Sequence, residues 1–307
     1  MRIVFFGTPE FADASLRALL TAGHDVAGVV TQPDRPQGRS RNTLVPPPVK
    51  TTALAAGVPV LQPERPAGDL FAAALRRLDA ELGVVVAYGH ILRPGILAIP
   101  RRGMVNVHAS LLPRLRGAAP IQWAIVNGDT ETGVSIMQME QGLDSGPVYL
   151  RVRTPVLADE TGGSLTARLA ALGSQALLES LSAFQRGPME PEPQDAAAAT
   201  FAPKLTREIA RIAWDQDAPA IARRIRAFDP APGAWATLDG TDMKLFGAHA
   251  VPMHGAPGVV LSAGSTLVIG AASGAVEIAE VQPAGKRRMP VAEWVRGRGV
   301  TPGRRLA

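Results

Sequence analysis

Between Arg2 and Phe184 the chain alternates two hydrophobic spacings, and this alternation restricts the fold more than any other feature. Arg2–Gly7 and Gly83–Tyr88 are short continuous apolar runs, the mark of strands buried on both faces. Asp25–Thr31, Val58–Leu61 and Gly103–His108 read as further strands. Glu10 to Ala22 places Phe11, Leu16, Leu19 and Leu20 at helical spacing and stops at Gly23. Val49–Ala56, Asp69–Glu81, Pro94–Ile99 and Ala118–Val126 read as helices or single helical turns. Strands and helices taking turns form β-α-β units, which predicts an α/β domain with a doubly wound, mostly parallel sheet. Gly133–Met139 and Val148–Thr154 follow with only a Gly-rich loop between them, which adds an antiparallel edge. Ser164–Phe184 is a long amphipathic helix.

The pattern then changes. Gly187 to Pro203 is rich in Pro, Glu and Ala, shows no periodicity and reads as a linker. Beyond a short helix at Ala218–Phe228, five strand-like stretches follow: Ala234–Leu238, Met243–Ala250, Gly258–Ser262, Thr266–Ile269 and Ala275–Val281. Gly-containing turns separate them, which predicts a small OB-like β-barrel or, as an alternative, a plain β-sandwich. The expected organisation is a catalytic domain over 1–187, a linker over 188–206 and the barrel over 207–307. Charge divides in the same way. Residues 1–200 hold 18 basic and 18 acidic side chains, whereas residues 201–307 hold 14 and 9, so the net charge of +5 lies wholly in the last third. Such asymmetry points to a polyanionic partner, or to a basic surface kept for solubility.

Several functions are excluded at once. Cysteine is absent, so disulfides, zinc thiolates and thiol nucleophiles have no source. Five His without an H-E-x-x-H spacing and without an acidic cluster argue against a metal site. The first strand starts directly after Met1, with no charged leader and long apolar run, and no stretch approaches a membrane span, so a cytoplasmic protein without membrane contact is expected. Only Gly7 follows the first strand, and neither G-x-G-x-x-G nor G-x-x-x-x-G-K-[ST] occurs, which argues against dinucleotide binding and nucleoside triphosphate hydrolysis.

In open α/β sheets, ligands bind outside the carboxyl ends of the strands. There the word Asn106-Val107-His108-Ala109-Ser110-Leu111-Leu112-Pro113 sets an amide, an imidazole and a hydroxyl within five residues, and Asp144 follows between Gly142 and Gly146. An amide donor beside a titratable imidazole is what a carbonyl needs when an amine attacks it. Taken singly, each residue also has a structural reading: a strand-end His, a turn-forming Asn, an Asp closing a hairpin.

The full word identifies the resemblance. The chain resembles the folate-dependent formyltransferases over nearly its whole length, from Phe6-Gly7-Thr8-Pro9-Glu10-Phe11-Ala12 through Gln32-Pro33-Asp34-Arg35-Pro36 and Val86-Ala87-Tyr88-Gly89. The likeness is densest from Asn106 to Gln122 and resumes at Gly142-Leu143-Asp144-Ser145-Gly146, Ile225-Arg226-Ala227-Phe228 and Gln282-Pro283-Ala284-Gly285-Lys286. His90 departs from it, standing where an apolar residue is expected. The resemblance implies a Rossmann-like formyltransferase domain followed by an OB-like barrel. It implies transfer of a formyl group from 10-formyltetrahydrofolate, without a metal, to the α-amine of methionyl initiator tRNA, by a monomer. A sister activity, formylation of an amino sugar carried on a nucleotide, is the alternative. Asn106, His108 and Asp144 become the expected catalytic residues. Ser110, Leu111, Leu112 and Pro113, with Val86, Ala87, Tyr88 and Gly89, become the folate site. Arg35, Arg39 and Arg41 in the long loop, with Lys204, Lys286, Arg287 and Arg288, become the tRNA contacts, and Arg207 and Arg211 lie on the same basic track.

Overall fold

The computed structural model describes residues 1–37, 43–298 and 300–307. They divide into two compact units, one of residues 1–120, 132–154 and 166–202, the other of residues 121–131, 155–165 and 203–307.

The first unit is built on a seven-stranded sheet. Its strands are β1 (Arg2–Gly7), β2 (Asp25–Val30), β3 (Val60–Leu61), β4 (Leu82–Val86), β5 (Met104–His108), β6 (Glu131–Gln138) and β7 (Val148–Pro155). Their order across the sheet is β7-β6-β5-β4-β1-β2-β3. Parallel pairing runs from β5 to β3, and β6 joins β5 antiparallel, with His108 opposite Ser135. The doubly wound sheet and its antiparallel addition are those the alternating pattern predicts. Helices α1 (Glu10–Thr21), α2 (Pro48–Ala55), α3 (Asp69–Arg77) and α4 (Pro94–Leu97) connect the early strands. The central strands are apolar throughout because both faces are covered: Ile3, Val4, Phe5, Phe6, Val84 and Val86 are all 0% exposed. Burying one such side chain stabilises the fold by about 1.5–3 kcal/mol.

The chain leaves β1 toward β2 and β3, then returns to place β4 and β5 on the other side of β1. The strand order therefore reverses between β1 and β4, and their carboxyl ends, Gly7 and Val86, lie in register. Such a reversal opens a crevice. The division between the units falls within the first turn of both α5 (Pro120–Asn127) and α6 (Gly162–Arg186), between residues 120 and 121 and between residues 165 and 166. Residues 188–206, read from sequence as a linker, are not featureless. Glu192 bridges to Val148, Ala196–Ala198 forms a 3-10 turn, and Phe201–Ala202 pairs parallel with Arg116–Gly117.

The second unit carries a six-stranded antiparallel half-barrel sheet: β8 (Trp235–Leu238), β9 (Thr241–Val251), β10 (Val260–Ala263), β11 (Leu267–Gly270), β12 (Ala275–Pro283) and β13 (Met289–Pro290). The path is β8-β9-β12-β11-β10, with β13 beside β12. Asp239 and Gly240 turn β8 into β9 with φ of +51° and +75°. Two successive positive φ values are what a two-residue hairpin demands, and Asp-Gly supplies them with little strain. Helix α7 (Ala218–Ala227) lays Ile221, Ala222 and Ile225 on β9, and α8 (Val291–Arg298) follows β13. β8 and β10 end this path, and Trp235 of β8 is bonded to residues 210–212, with Ile212 N donating to Trp235 O at 2.9 Å and Trp235 N to Ala210 O at 3.0 Å. Residues 303–307 bridge both: Thr237 and Ala307 exchange backbone bonds of 2.7 and 2.9 Å, while Val260 N donates to Arg304 O at 2.8 Å and Leu306 N donates to Gly258 O at 2.8 Å. Among the described residues no helix is long and apolar enough to cross a membrane.

Candidate active site

β5 delivers the first two polar residues. Side chains along a strand alternate between faces, so Asn106 and His108 share one face. Val107 takes the other face, where its methyl group would lie 3.0 Å from a Cβ at Gly173 of α6, a tight contact. Asn106 is half-buried, with its backbone paired to Val85 and Met137. His108 is 6% exposed. Its Nε2 lies 3.0 Å from the carbonyl oxygen of Leu115. A carbonyl only accepts, so Nε2 carries a hydrogen and Nδ1 is the nitrogen left to exchange a proton. Nδ1 faces Asp144 Oδ2 at 3.7 Å, longer than a hydrogen bond.

Asp144 is held in the left-handed region at φ +50°. Its Oδ2 accepts the backbone N–H of Gly117 at 2.9 Å. Gly117 has φ +118°, and a Cβ there would meet Ala202 O at 2.8 Å, so only glycine brings this N–H to the carboxylate. Gly146 is under the same demand, since its Cβ would stand 2.0 Å from Gln138 O. Gly142 is crowded as well, since its Cβ would stand 2.2 Å from Ser145 Oγ, so both glycines flanking the aspartate sit at close approaches.

The turn after β5 is anchored from below. Ser135 Oγ donates to Ser110 O at 2.7 Å and accepts from Leu112 N at 3.1 Å. Ser110 Oγ donates to Arg114 O at 2.6 Å, and Arg151 Nε donates to Leu112 O at 2.7 Å. Leu115 N donates to Thr200 Oγ1 at 2.9 Å. Ser110 and Leu112 are each 1% exposed, and Leu112 packs with Met137 and Val148 rather than forming a wall open to a ligand. Leu111 and Pro113 remain half-exposed. Apolar residues in a turn do not announce which of them faces inward, so sequence alone could not divide the pair.

The neighbouring strand end behaves similarly. Val86 is buried, while Ala87 and Gly89 are exposed with φ of +44° and +85°. Tyr88 points the opposite way, into the core against Phe6 at 5.5 Å between ring centroids. Burial pushes its hydroxyl pKa up to about 12, so it stays protonated. The Tyr88 carbonyl is already taken, accepting from Thr8 Oγ1 at 3.1 Å and Gln32 Nε2 at 3.0 Å. Only its flanking residues offer backbone to a ligand. The His90 ring lies 5.4 Å from the Tyr88 ring.

The basic residues separate into groups. Arg39 and Arg41 lie outside the described residues. Arg35 is exposed on Arg35–Gln37, which pairs antiparallel with Thr43–Val45. The base of this loop is fixed by Asp34, whose carboxyl is held below its usual pKa by hydrogen bonds from Gln62 and Lys50 at 2.7 Å each. Lys204, Lys286 and Arg287 are exposed, with Arg287 reaching Glu293 at 3.1 Å. Arg288, expected as a phosphate contact, has carboxylate partners within the half-barrel unit. It pairs with Asp229 at 2.7 Å and Glu280 at 2.5 Å, and its guanidinium lies 4.1 Å from the Phe246 ring centroid. Its charge is shared with two carboxylates, although the residue itself is exposed. Arg207 pairs with Asp242 and stacks over Trp235 at 4.2 Å. Among the described residues no group of three or more His, Asp or Glu could hold a metal ion.

Comparison with known proteins bears on this geometry. Residues 1–181 match the family described as formyl transferase, and residues 204–299 match its C-terminal domain. Methionyl-tRNA formyltransferase of Myxococcus xanthus is 48% identical over 303 residues, covering 98% of this chain and 96% of that protein. Methionyl-tRNA formyltransferase from Clostridium thermocellum superposes with TM-score 0.60 at 15% identity, over 82% of this chain and 94% of that one. WlaRD, a sugar 3N-formyl transferase solved in the presence of dTDP and 5-N-formyl-THF, gives 0.68 at 16% identity, over 94% and 99%. The structural likenesses speak to the fold alone.

Proposed function

The chain belongs to the formyl transferase family, and from that premise we propose that it transfers a formyl group from 10-formyltetrahydrofolate to the α-amino group of methionyl initiator tRNA. What supports this reading is the His108–Asp144 contact of 3.7 Å on the face that Asn106 shares. In the reaction the amine nitrogen attacks the formyl carbon, a carbon–nitrogen bond forms, and the carbonyl oxygen gathers negative charge. Asn106 donates its amide hydrogens to that oxygen. The carbon–N10 bond then breaks, and a proton passes from the attacking amine to the departing folate nitrogen. His108 Nδ1, facing Asp144, carries that proton, while the Asp144 carboxylate stabilises the imidazolium. No base stronger than this is needed, because an α-amine with pKa near about 7.7–8.0 is partly neutral at pH 7. Leu111, Pro113 and the exposed backbone of Ala87 and Gly89 receive the folate ring.

The deciding assay offers both acceptor classes. With 10-formyltetrahydrofolate as donor, methionyl initiator tRNA is formylated and a nucleotide-linked amino sugar is not. The reverse pattern would assign the chain to the sugar-modifying branch. The tRNA backbone meets Arg35, Lys204, Lys286 and Arg287 in this reading, together with Arg39 and Arg41. Contacts to phosphate release counterions, so replacing Lys204 or Lys286 by alanine weakens tRNA binding and reduces the slope of log K against log salt by about 1 each. Folate affinity stays the same. Salt titrations running parallel to wild type would remove these residues from the interface.

A further inference from the structure

The stretch that holds no periodicity in sequence contains a side chain aimed at the centre of the chemistry. Gln194 lies between the buried guanidinium of Arg116, which is 8% exposed, and the loop that carries Asp144. Arg116 donates to Gln194 Oε1 from Nε at 3.0 Å and from Nη2 at 2.8 Å. Gln194 Nε2 donates in turn to the carbonyls of Asp144 at 2.9 Å and Gly146 at 2.6 Å. The carboxamide has one orientation only: its oxygen faces two donors and its nitrogen faces two acceptors. Arg116 is adjacent to Gly117, whose N–H binds the Asp144 carboxylate. Asp144 is therefore gripped at both ends, side chain by Gly117 and backbone by Gln194, and both grips start from Arg116–Gly117. This strand is paired with Phe201–Ala202.

We propose that Gln194 is a positioning residue for formyl transfer, which fixes the Asp144 carboxylate against His108 by bridging Arg116 to the Asp144 and Gly146 carbonyls. The proposal rests on the formyl-transfer reading. Asp144 stands in a left-handed conformation within a Gly-rich loop, where the backbone has many alternatives once the clamp is gone. Displacement of the carboxylate by an ångström changes the rate and not the binding of either substrate, because Gln194 reaches carbonyls and not ligands.

The test uses single-turnover and steady-state formyl transfer to methionyl initiator tRNA with the full chain. Gln194→Leu keeps size and removes both sets of bonds. Gln194→Glu keeps the Arg116 partner and sets a carboxylate oxygen against two carbonyls. Each variant lowers kcat by about tenfold to a hundredfold, with both KM values close to wild type; Gln194→Leu also lowers the thermal midpoint, because the buried Arg116 guanidinium loses its acceptor. In the Asp144→Asn background, Gln194→Leu costs no more than about a further twofold, since residues acting through one group are not additive. A kcat within twofold of wild type for either variant would overturn the proposal. So would losses that multiply fully in the double variant, or a loss confined to KM. Should Gln194→Leu not fold, Gln194→Glu carries the test by itself. Wild type without any transfer in the same assay would instead remove the formyl-transfer reading.

Discussion

Asn106→Ala lowers kcat for formyl transfer by about 10²–10³-fold, equivalent to roughly 2.7–4 kcal/mol of barrier, the usual cost of losing one oxyanion donor. The fold survives the change. The Asn106 backbone is paired on both sides, to Val85 and Met137, and alanine keeps that ladder. Among the described residues its carboxamide has no hydrogen-bond partner, so no internal bond is broken by removing it. A donor held ready at a strand end and unused by the protein is matched to charge that exists only during the reaction. The loss therefore appears in kcat, with KM for folate and tRNA nearly unchanged. Rates within tenfold of wild type, measured with saturating donor, would take the oxyanion role away from Asn106.

Asp144→Asn gives the second large effect, a fall in kcat on the order of 10²-fold. This substitution isolates charge. Asparagine accepts the left-handed backbone that Asp144 adopts at φ +50°, and its carboxamide oxygen can still receive the Gly117 N–H now bound at 2.9 Å. What disappears is the negative charge 3.7 Å from His108 Nδ1. The thermal midpoint stays at the wild-type value. Asp144→Ala removes the Gly117 acceptor as well and is both slower and less stable. If Asp144→Asn retains the wild-type kcat, the carboxylate has no electrostatic part in the proton transfer.

Much of this arrangement could be read from the chain because it is local. Strands buried on both faces leave continuous apolar runs, so the sheet was legible, and so were the places where β5 and the Gly142–Gly146 loop present polar side chains. The Asp239-Gly240 turn carried its own conformational requirement. What escaped is what depends on pairing between distant segments. Ser135, Gln194 and Thr200 are ordinary polar residues whose partners lie 25, 50 and 85 positions away. No periodicity marks them, and the absence of periodicity around Gln194 is what made the stretch look like a linker. Arg288 is the opposite case. It stands in a run of three basic residues, Lys286-Arg287-Arg288, and only the fold reveals that Asp229 and Glu280 claim the third. Leu111 and Leu112 were one apolar pair in sequence, and only the position of Met137 and Val148 tells them apart.

The bridging of β8 and β10 by residues 303–307 bears on how the second unit comes into being during vectorial synthesis. Every other strand of that half-barrel is made earlier, so Val260 of β10, and Thr237 of β8 beyond the residues 210–212 that bind Trp235, lack these bonds until Gly303 to Ala307 have been made. Exposed borders of this kind recruit strands from other chains, so the bonds made by residues 303–307 close a route to association.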